Sequence, residues 1–134
     1  MSHLVSEGHR LYAFLRGESE DSPESLLAEA FRGHLTDGLP LGLGGDYVSR
    51  SEMIEQGWGG VGQHFAMAPE VDELYAVNEG LMVARGHYVG HGVATGKPVR
   101  AAFAHFWTHD GSRFSSVYQV TDTAAWSAAL PESS

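Results

Sequence analysis

The apolar residues near the start of the chain repeat at the period of an α-helix. The positions with this spacing are Leu4, Val5, Leu11, Tyr12 and Leu15. Because residues about 3.6 positions apart lie on one side of a helix, the pattern predicts an amphipathic helix that ends near Gly17. The acidic stretch from Glu18 to Ser22 then forms a solvated connection.

Local start signals indicate two further helices. Ser22 followed by Pro23 is typical of a helix start, because the fixed φ of proline suits the first turn. The buried side of this second helix is predicted to consist of Leu26, Leu27, Ala30 and Phe31. Ser49 and Glu52 match the capping-box pattern S-x-x-E and predict the start of a third helix.

The third helix combines an apolar face with several glycines. Its apolar face is predicted to contain Met53, Ile54, Trp58 and Val61, and its glycines are Gly57, Gly59, Gly60 and Gly62. Each glycine weakens a helix by up to about 1 kcal/mol. We therefore expect this helix either to break after Trp58 or to let another backbone approach closely.

From Val71 onward the apolar residues alternate with polar ones, which predicts β-strands. The predicted strands cover residues 74–78, 81–91, 99–109 and 114–121. The turns at 92–98 and at Asp110-Gly111 join the last three strands as antiparallel hairpins. A short helix over residues 123–130 follows, so the order of helices first and strands later indicates an α+β fold.

Composition limits the classes of partner. The 134 residues fit one domain, 1–134, and the net charge of −9 with only 8 Lys and Arg disfavours binding to nucleic acid or to an anionic membrane. Small neutral molecules or protein partners are expected instead. No cysteine, no leader-like start and no apolar run of about 18 residues is present, which favours a cytoplasmic protein.

Motifs for metal, phosphate and hydrolytic chemistry are weak. His87 with His91 and His105 with His109 have the spacing that binds zinc from a helix, but on a strand such pairs lie about 13 Å apart. The run GVATGKPV has the wrong spacing for a phosphate loop and reads as a hairpin turn. No nucleophile elbow is visible, so nucleophilic hydrolysis has no support. Because all of these motifs are weak, neither a metal nor a cofactor is expected.

The order of elements and turns resembles a known superfamily. The segments LTDGLPLGLGGDYVSR, VNEGLMVARGHYVG, TGKPVRAAFAHFWTHDGSRF and VYQVTDT, placed after two helices, look like nuclear transport factor 2-like proteins, nearest to SnoaL-like polyketide cyclases and ketosteroid isomerase relatives. The resemblance implies a cone-shaped α+β barrel, in which a strongly bent antiparallel or mixed sheet wraps around the N-terminal helices. It also implies a hydrophobic pocket on the concave side.

Matching the family's HF dipeptide to His105-Phe106 predicts the faces of the strand over residues 99–109. By this match Ala104 takes the place of a pocket aspartate of the isomerases. Ala102, Ala104 and Phe106 would then face the pocket, and Phe103, His105 and Trp107 would point to the convex side. A bulky exposed row of this kind predicts a homodimer through the convex sheet face.

The same resemblance predicts the other residues that bind a small hydrophobic molecule. On the neighbouring strands Met82, Ala84, Gly86, Tyr88, Val117, Gln119 and Thr121 face inward, and Trp58 and Tyr12 contribute from the helices. Tyr12 lies one position from the helix tyrosine of the isomerases and would be an oxyanion donor. Its alternative role is that of a core residue.

Two of these positions bear on catalysis. Asp37 falls where the isomerases hold their proton-shuttling aspartate, although Asp37-Gly38 also fits an ordinary turn. Gln119 replaces the acid/base aspartate of certain cyclases and would orient a ligand by hydrogen bonds. The resemblance implies an isomerase- or cyclase-type enzyme that transfers protons on a small hydrophobic carbonyl compound. The alternative is a non-catalytic binding or accessory protein.

Overall fold

A computed structural model describes residues 3–132. Helix α1 spans His3–Leu15 and buries Leu4, Leu11 and Tyr12. It ends near Gly17 as predicted, and the φ of Gly17, 74°, is the left-handed conformation that glycine adopts without steric cost. The backbone N–H groups of Gly17 and Glu18 donate to carbonyl groups of the last helical turn, which completes a Schellman motif.

The second predicted helix is largely wrong. A single turn, α2 (Pro23–Leu26), is followed at once by strand β1 (Leu27–Leu35). Leu27, Phe31 and Leu35 are buried, but Ala30 is exposed, unlike a residue on the buried side of a helix. Apolar positions in this segment fit both periods, and pairing of β1 with two other strands decides in favour of a strand.

The third helix begins where the capping box predicts. Ser49 Oγ accepts a hydrogen bond from the Glu52 backbone N–H at 3.0 Å. The helix runs as α3 (Arg50–Glu52), continues as a π-helical segment (Met53–Trp58) and returns to α-helix in α4 (Gly59–His64). It does not break after Trp58. The wider π-turn is found instead, before Gly59.

Six strands form one mixed sheet in the order β2-β1-β6-β5-β4-β3. Besides β1, the strands are β2 (Gly45–Val48), β3 (Phe65–Asn78), β4 (Leu81–Gly92), β5 (Pro98–His109) and β6 (Phe114–Thr121), and helix α5 (Thr123–Ala128) follows. Only the β1–β6 pair is parallel among the described residues. The α+β class with a mixed sheet is confirmed, whereas β1, β2 and the first half of β3 were not predicted.

One face of this sheet packs against the helices and forms the core. Helix α1 packs on β3 and β4, and α5 packs on β5. Trp126 of α5 lies edge-on to Phe65 of β3 and Tyr88 of β4, with ring centroids 5.1 Å from each. In the described part of the chain, no helix is long and apolar enough to cross a membrane.

The predicted faces of β5 are inverted. Phe103, His105 and Trp107 are buried against the helices, whereas the Phe106 side is open to solvent. Residues directly opposite each other on antiparallel strands share a face, and His105 lies opposite Ala84 of β4 and Gln119 of β6. The inward assignments of β4 and β6 are therefore right, and they require odd-numbered residues of β5 to point inward.

Candidate functional site

A cavity of about 250 Å³ lies between the helix-covered face of the sheet and the helices. Most of its lining is apolar and comes from α1, the π-helical segment, α4 and five strands. The lining residues are Leu15, Leu35, Trp58, Val61, Gly62, Phe65, Met67, Pro69, Tyr88, His105, Trp107, Val117 and Gln119. An apolar cavity with a few convergent polar groups is the usual form of a small-molecule site.

The polar groups of this cavity meet on one wall. Tyr88 of β4, His105 of β5 and Gln119 of β6 come from three adjacent strands. The Tyr88 hydroxyl oxygen lies 2.7 Å from His105 Nε2 and accepts a hydrogen bond from Gln119 Nε2 at 2.8 Å. The side chains of His105 and Gln119 thus converge on the hydroxyl oxygen of Tyr88.

Helix α1 supports this group from behind. The Tyr12 hydroxyl lies 2.6 Å from His105 Nδ1, and Trp107 Nε1 donates to the Tyr12 oxygen at 2.9 Å. The ring of Phe103 lies nearly parallel to that of His105, with centroids 4.1 Å apart. Both ring nitrogens of His105 are therefore engaged, and its plane is held by packing.

Gln119 has a defined amide orientation. Its side-chain Oε1 accepts from the Thr36 backbone N–H at 3.1 Å, and Thr36 Oγ1 donates to the backbone carbonyl oxygen of Gln119 at 2.9 Å. A backbone N–H can only donate, so Oε1 must face Thr36. The amide NH₂ group consequently faces Tyr88 and acts as a donor there.

The site is uncharged at neutral pH. Burial lowers the pKa of His105 to about 3, because an imidazolium would lose its hydration there. Burial also raises the pKa of Tyr88 above its ordinary value, although the Gln119 hydrogen bond opposes this change. Burial raises the pKa of Tyr12 well above its ordinary value, with the Trp107 hydrogen bond opposing. No Asp, Glu, Lys or Arg of the described chain lines the cavity.

The structure brings together only part of the predicted site. Trp58, Tyr88, Val117 and Gln119 line the cavity. Three other predicted residues are buried behind its wall, namely Tyr12, Met82 and Ala84. The predicted placement of Ala104 and Phe106 in the pocket is wrong, because even-numbered residues of β5 point away from the helices and Phe106 is 39% exposed.

Asp37 does not line the cavity. It lies in the turn after β1, with 83% of its side chain exposed and its carboxylate 3.3 Å from His34 Nε2. The predicted pocket position is wrong, and the alternative interpretation as a turn residue matches the structure. A carboxylate without a buried partner is more stable in water than in an apolar cavity.

His105, like Trp107, lines the cavity although sequence reasoning placed it on the convex side of the sheet. The match to the HF dipeptide shifted the face of β5 by one residue, which reverses every side chain of a strand. The signal that could have found it is the row Phe103, His105 and Trp107. Large aromatic residues in alternate positions of a central strand are usually core, so the same row also fails as a surface for dimer formation.

The histidine pairs considered for metal binding remain apart from any cluster. Within residues 3–132, no group of three or more His, Cys, Asp or Glu side chains is arranged to hold a metal ion. His105 Nε2 and Nδ1 both contact tyrosine hydroxyls.

No protein-family model and no curated protein sequence matches the chain. Solved structures do match. An NTF2-like protein of unknown function from Burkholderia pseudomallei K96243 is similar with a TM-score of 0.83 and 26% identity, over 98% of this chain and 100% of that chain.

Two further structures are similar over most of their length. TerC co-crystallised with polyporic acid gives a TM-score of 0.78 and 18% identity, over 93% of this chain and 95% of that chain. A protein named as a SnoaL-like polyketide cyclase from Jannaschia sp. CCS1 gives a TM-score of 0.76 and 14% identity, over 93% of this chain and 89% of that chain. At such identities these two similarities concern the fold alone.

Proposed function

Because this chain belongs by its fold to the nuclear transport factor 2-like superfamily, we propose that its cavity binds a small hydrophobic carbonyl compound and acts on it as an isomerase- or cyclase-type enzyme. One observation carries the proposal: the hydroxyl of Tyr88, held by His105 and Gln119, is the polar centre of an otherwise apolar cavity. A carbonyl oxygen placed against this hydroxyl accepts its hydrogen bond.

The expected chemistry is stabilisation of negative charge on that oxygen. When a base takes a proton from the carbon beside a carbonyl group, charge develops on the oxygen as an enolate. Here that base is a solvent base such as hydroxide, because no carboxylate of the described chain lines the cavity. A fixed donor in a site without water stabilises this charge more than a donor in water does. In this proposal Tyr88 contacts the reacting oxygen, and Gln119 positions Tyr88. Asp37 takes no part.

The cavity favours an uncharged ligand of one or two rings. Its volume of about 250 Å³ is at the small end for ligand sites. A carboxylate or phosphate would be buried without a cationic partner, since no described Lys or Arg lines the cavity. The net charge of −9 also repels anions.

A non-catalytic binding protein is the second candidate, and one observation favours it. The described lining contains no carboxylate that could remove a proton from carbon. His105 is neutral, but both of its nitrogens contact tyrosine hydroxyls. Binding and polarising a carbonyl compound requires only the groups present, whereas proton removal also requires a base.

Matched ligands test the proposed binding mode. 1-Indanone and indane differ by one carbonyl oxygen, and their binding is measured by quenching of the tryptophans that line the cavity, Trp58 and Trp107. We expect Tyr88→Phe to weaken 1-indanone about five- to tenfold, the value of one neutral hydrogen bond, and to leave indane unchanged. Tyr47→Phe, which removes a hydroxyl bonded to the Leu43 carbonyl, is the control. Equal affinities of the Tyr88 variant and the wild type for 1-indanone would refute the proposal.

Deuterium exchange separates the two candidates. In D₂O, an enzyme of this type accelerates the exchange of the hydrogens on the carbon beside the carbonyl of 1-indanone. The exchange is measured as the loss of their ¹H NMR signal. We expect Tyr88→Phe to reduce this rate at least about tenfold. Tight binding without exchange above the buffer rate would reject the enzyme and leave the binding protein.

The homodimer also remains a proposal, with a different surface. The exposed sheet face carries Phe106, Tyr118 and Val120 on the adjacent strands β5 and β6. Neighbouring exposed apolar side chains are more frequent at interfaces than on monomer surfaces. These residues replace Phe103 and Trp107 as the expected contact of the convex face.

A further inference from the structure

His105 and the two hydroxyl groups that contact it carry one hydrogen atom more than their two hydrogen bonds use. The ring lies between two hydroxyl oxygens, that of Tyr12 at 2.6 Å from Nδ1 and that of Tyr88 at 2.7 Å from Nε2. Each of these two contacts holds one hydrogen atom. A neutral imidazole brings one hydrogen and the two hydroxyls bring two, so one hydroxyl hydrogen must point elsewhere.

Tyr12 is not the hydroxyl that turns away. Its oxygen already accepts from Trp107 Nε1, and the residue is 1% exposed. If the Tyr12 hydroxyl also accepted from Nδ1, its own hydrogen would be buried with no other hydrogen-bond acceptor among the described residues. An unpaired buried donor is strongly unfavourable, so Tyr12 donates to Nδ1. Tyr88 differs because it lines the cavity and can donate into it.

We propose that Tyr12 is a positioning residue that holds His105 as the Nε2–H tautomer, which makes Tyr88 a hydrogen-bond donor only towards the cavity. With this tautomer the Tyr88 oxygen accepts from both His105 Nε2 and Gln119 Nε2. Both lone pairs are then occupied, and only its O–H remains for a ligand. The role of Tyr88 towards a ligand rests on the proposed function, whereas the tautomer of His105 does not depend on a ligand.

The consequence is selection for an oxygen that accepts and does not donate. A ketone oxygen satisfies the Tyr88 hydroxyl completely. The corresponding alcohol can also accept, but its own hydrogen then faces apolar walls without a partner. We expect 1-indanone to bind about tenfold or more tightly than 1-indanol, the effect of one unpaired buried donor.

NMR of the ring nitrogens tests the tautomer directly. In wild-type protein labelled with ¹⁵N at histidine and measured at pH 7 without ligand, we expect His105 to carry hydrogen at Nε2 and none at Nδ1. A hydrogen at Nδ1 would overturn the inference. This measurement needs no variant and stays decisive if a substitution at the buried Tyr12 prevents folding.

A substitution tests the role of Tyr12. In Tyr12→Phe the donor to Nδ1 is lost, so we expect both tautomers of His105 to be populated and the preference for 1-indanone over 1-indanol to fall several-fold. Tyr47→Phe should change neither quantity, because its hydroxyl bonds to Leu43. An unchanged tautomer and an unchanged preference in Tyr12→Phe would overturn the inference.

Failure of the inference is distinguishable from failure of the proposed function. If Tyr88→Phe weakens 1-indanone but wild-type His105 is protonated at Nδ1, the proposed function stands and the role of Tyr12 is wrong. If Tyr88→Phe has no effect on 1-indanone but Nε2 carries the hydrogen, the proposed function is wrong and the tautomer assignment stands.

Discussion

Acidification should destabilise the protein through His105. Burial lowers the pKa of this histidine to about 3 from an ordinary value of 6.5, and the residue is only 4% exposed. Between these two values the unfolded chain binds a proton that the folded chain does not bind. Stability therefore rises with pH in this window, is complete above about pH 6.5 and is lost as the pH falls towards 3.

The magnitude follows from the two pKa values. A pH of 5 is about 1.5 units below the pKa of 6.5 of the unfolded histidine, which is therefore protonated, whereas the folded histidine is still neutral. At about 1.4 kcal/mol per pH unit, the free energy of unfolding falls by roughly 2 kcal/mol between pH 7 and pH 5 from this group alone. Urea unfolding measured at both pH values gives this difference.

Other histidines and carboxylates also titrate, so His105→Gln is the reference. Glutamine does not titrate, and subtraction of its pH effect leaves that of His105. We expect wild-type protein to lose about 2 kcal/mol more than the variant between pH 7 and pH 5. Equal losses in the two proteins, or an NMR titration of His105 with a pKa near 6.5, would refute the reasoning about its burial.

Two further predictions concern the sheet. Gly86 of β4 lies so close to β3 that an added Cβ would clash with the backbone oxygen of Glu70. Gly86→Ala should therefore lower the free energy of unfolding, measured with urea, by about 1–3 kcal/mol. An unchanged urea midpoint would contradict the close approach. On the exposed face, Val120→Glu should give monomers in sedimentation experiments, whereas Val93→Glu, in the β4–β5 turn, should not. Wild-type monomers at micromolar concentration would rule out the dimer.

Local signals in the sequence determined the ends and turns of several elements. Gly17 stops α1, Ser49 with Glu52 starts the third helix, and the Asp110-Gly111 turn joins β5 to β6. Each signal depends on the conformational preferences of a few neighbouring residues. A chain of this kind therefore shows its helix caps and hairpins without reference to the rest of the fold.

The segment from Leu26 to Phe31 shows where local signals become ambiguous. Its apolar residues fit a helix after Pro23, and only pairing with β2 and β6 makes it a strand. The parallel β1–β6 contact joins residues more than 80 positions apart, for example Gly33 and Val117. Long-range pairing overrides a weak local preference, because it satisfies a whole row of backbone groups at once.

Some residues of the candidate site could likewise be predicted from the sequence, and others only from the tertiary structure. The family resemblance together with the alternation along each strand predicted the inward residues Tyr88 and Gln119, because alternation is a local property. The same reasoning misplaced His105, since the face of β5 depends on its register with the neighbouring strands and a shift of one residue inverts it. Only the tertiary structure brings the Tyr12 hydroxyl, 93 positions away in the chain, within hydrogen-bond distance of His105.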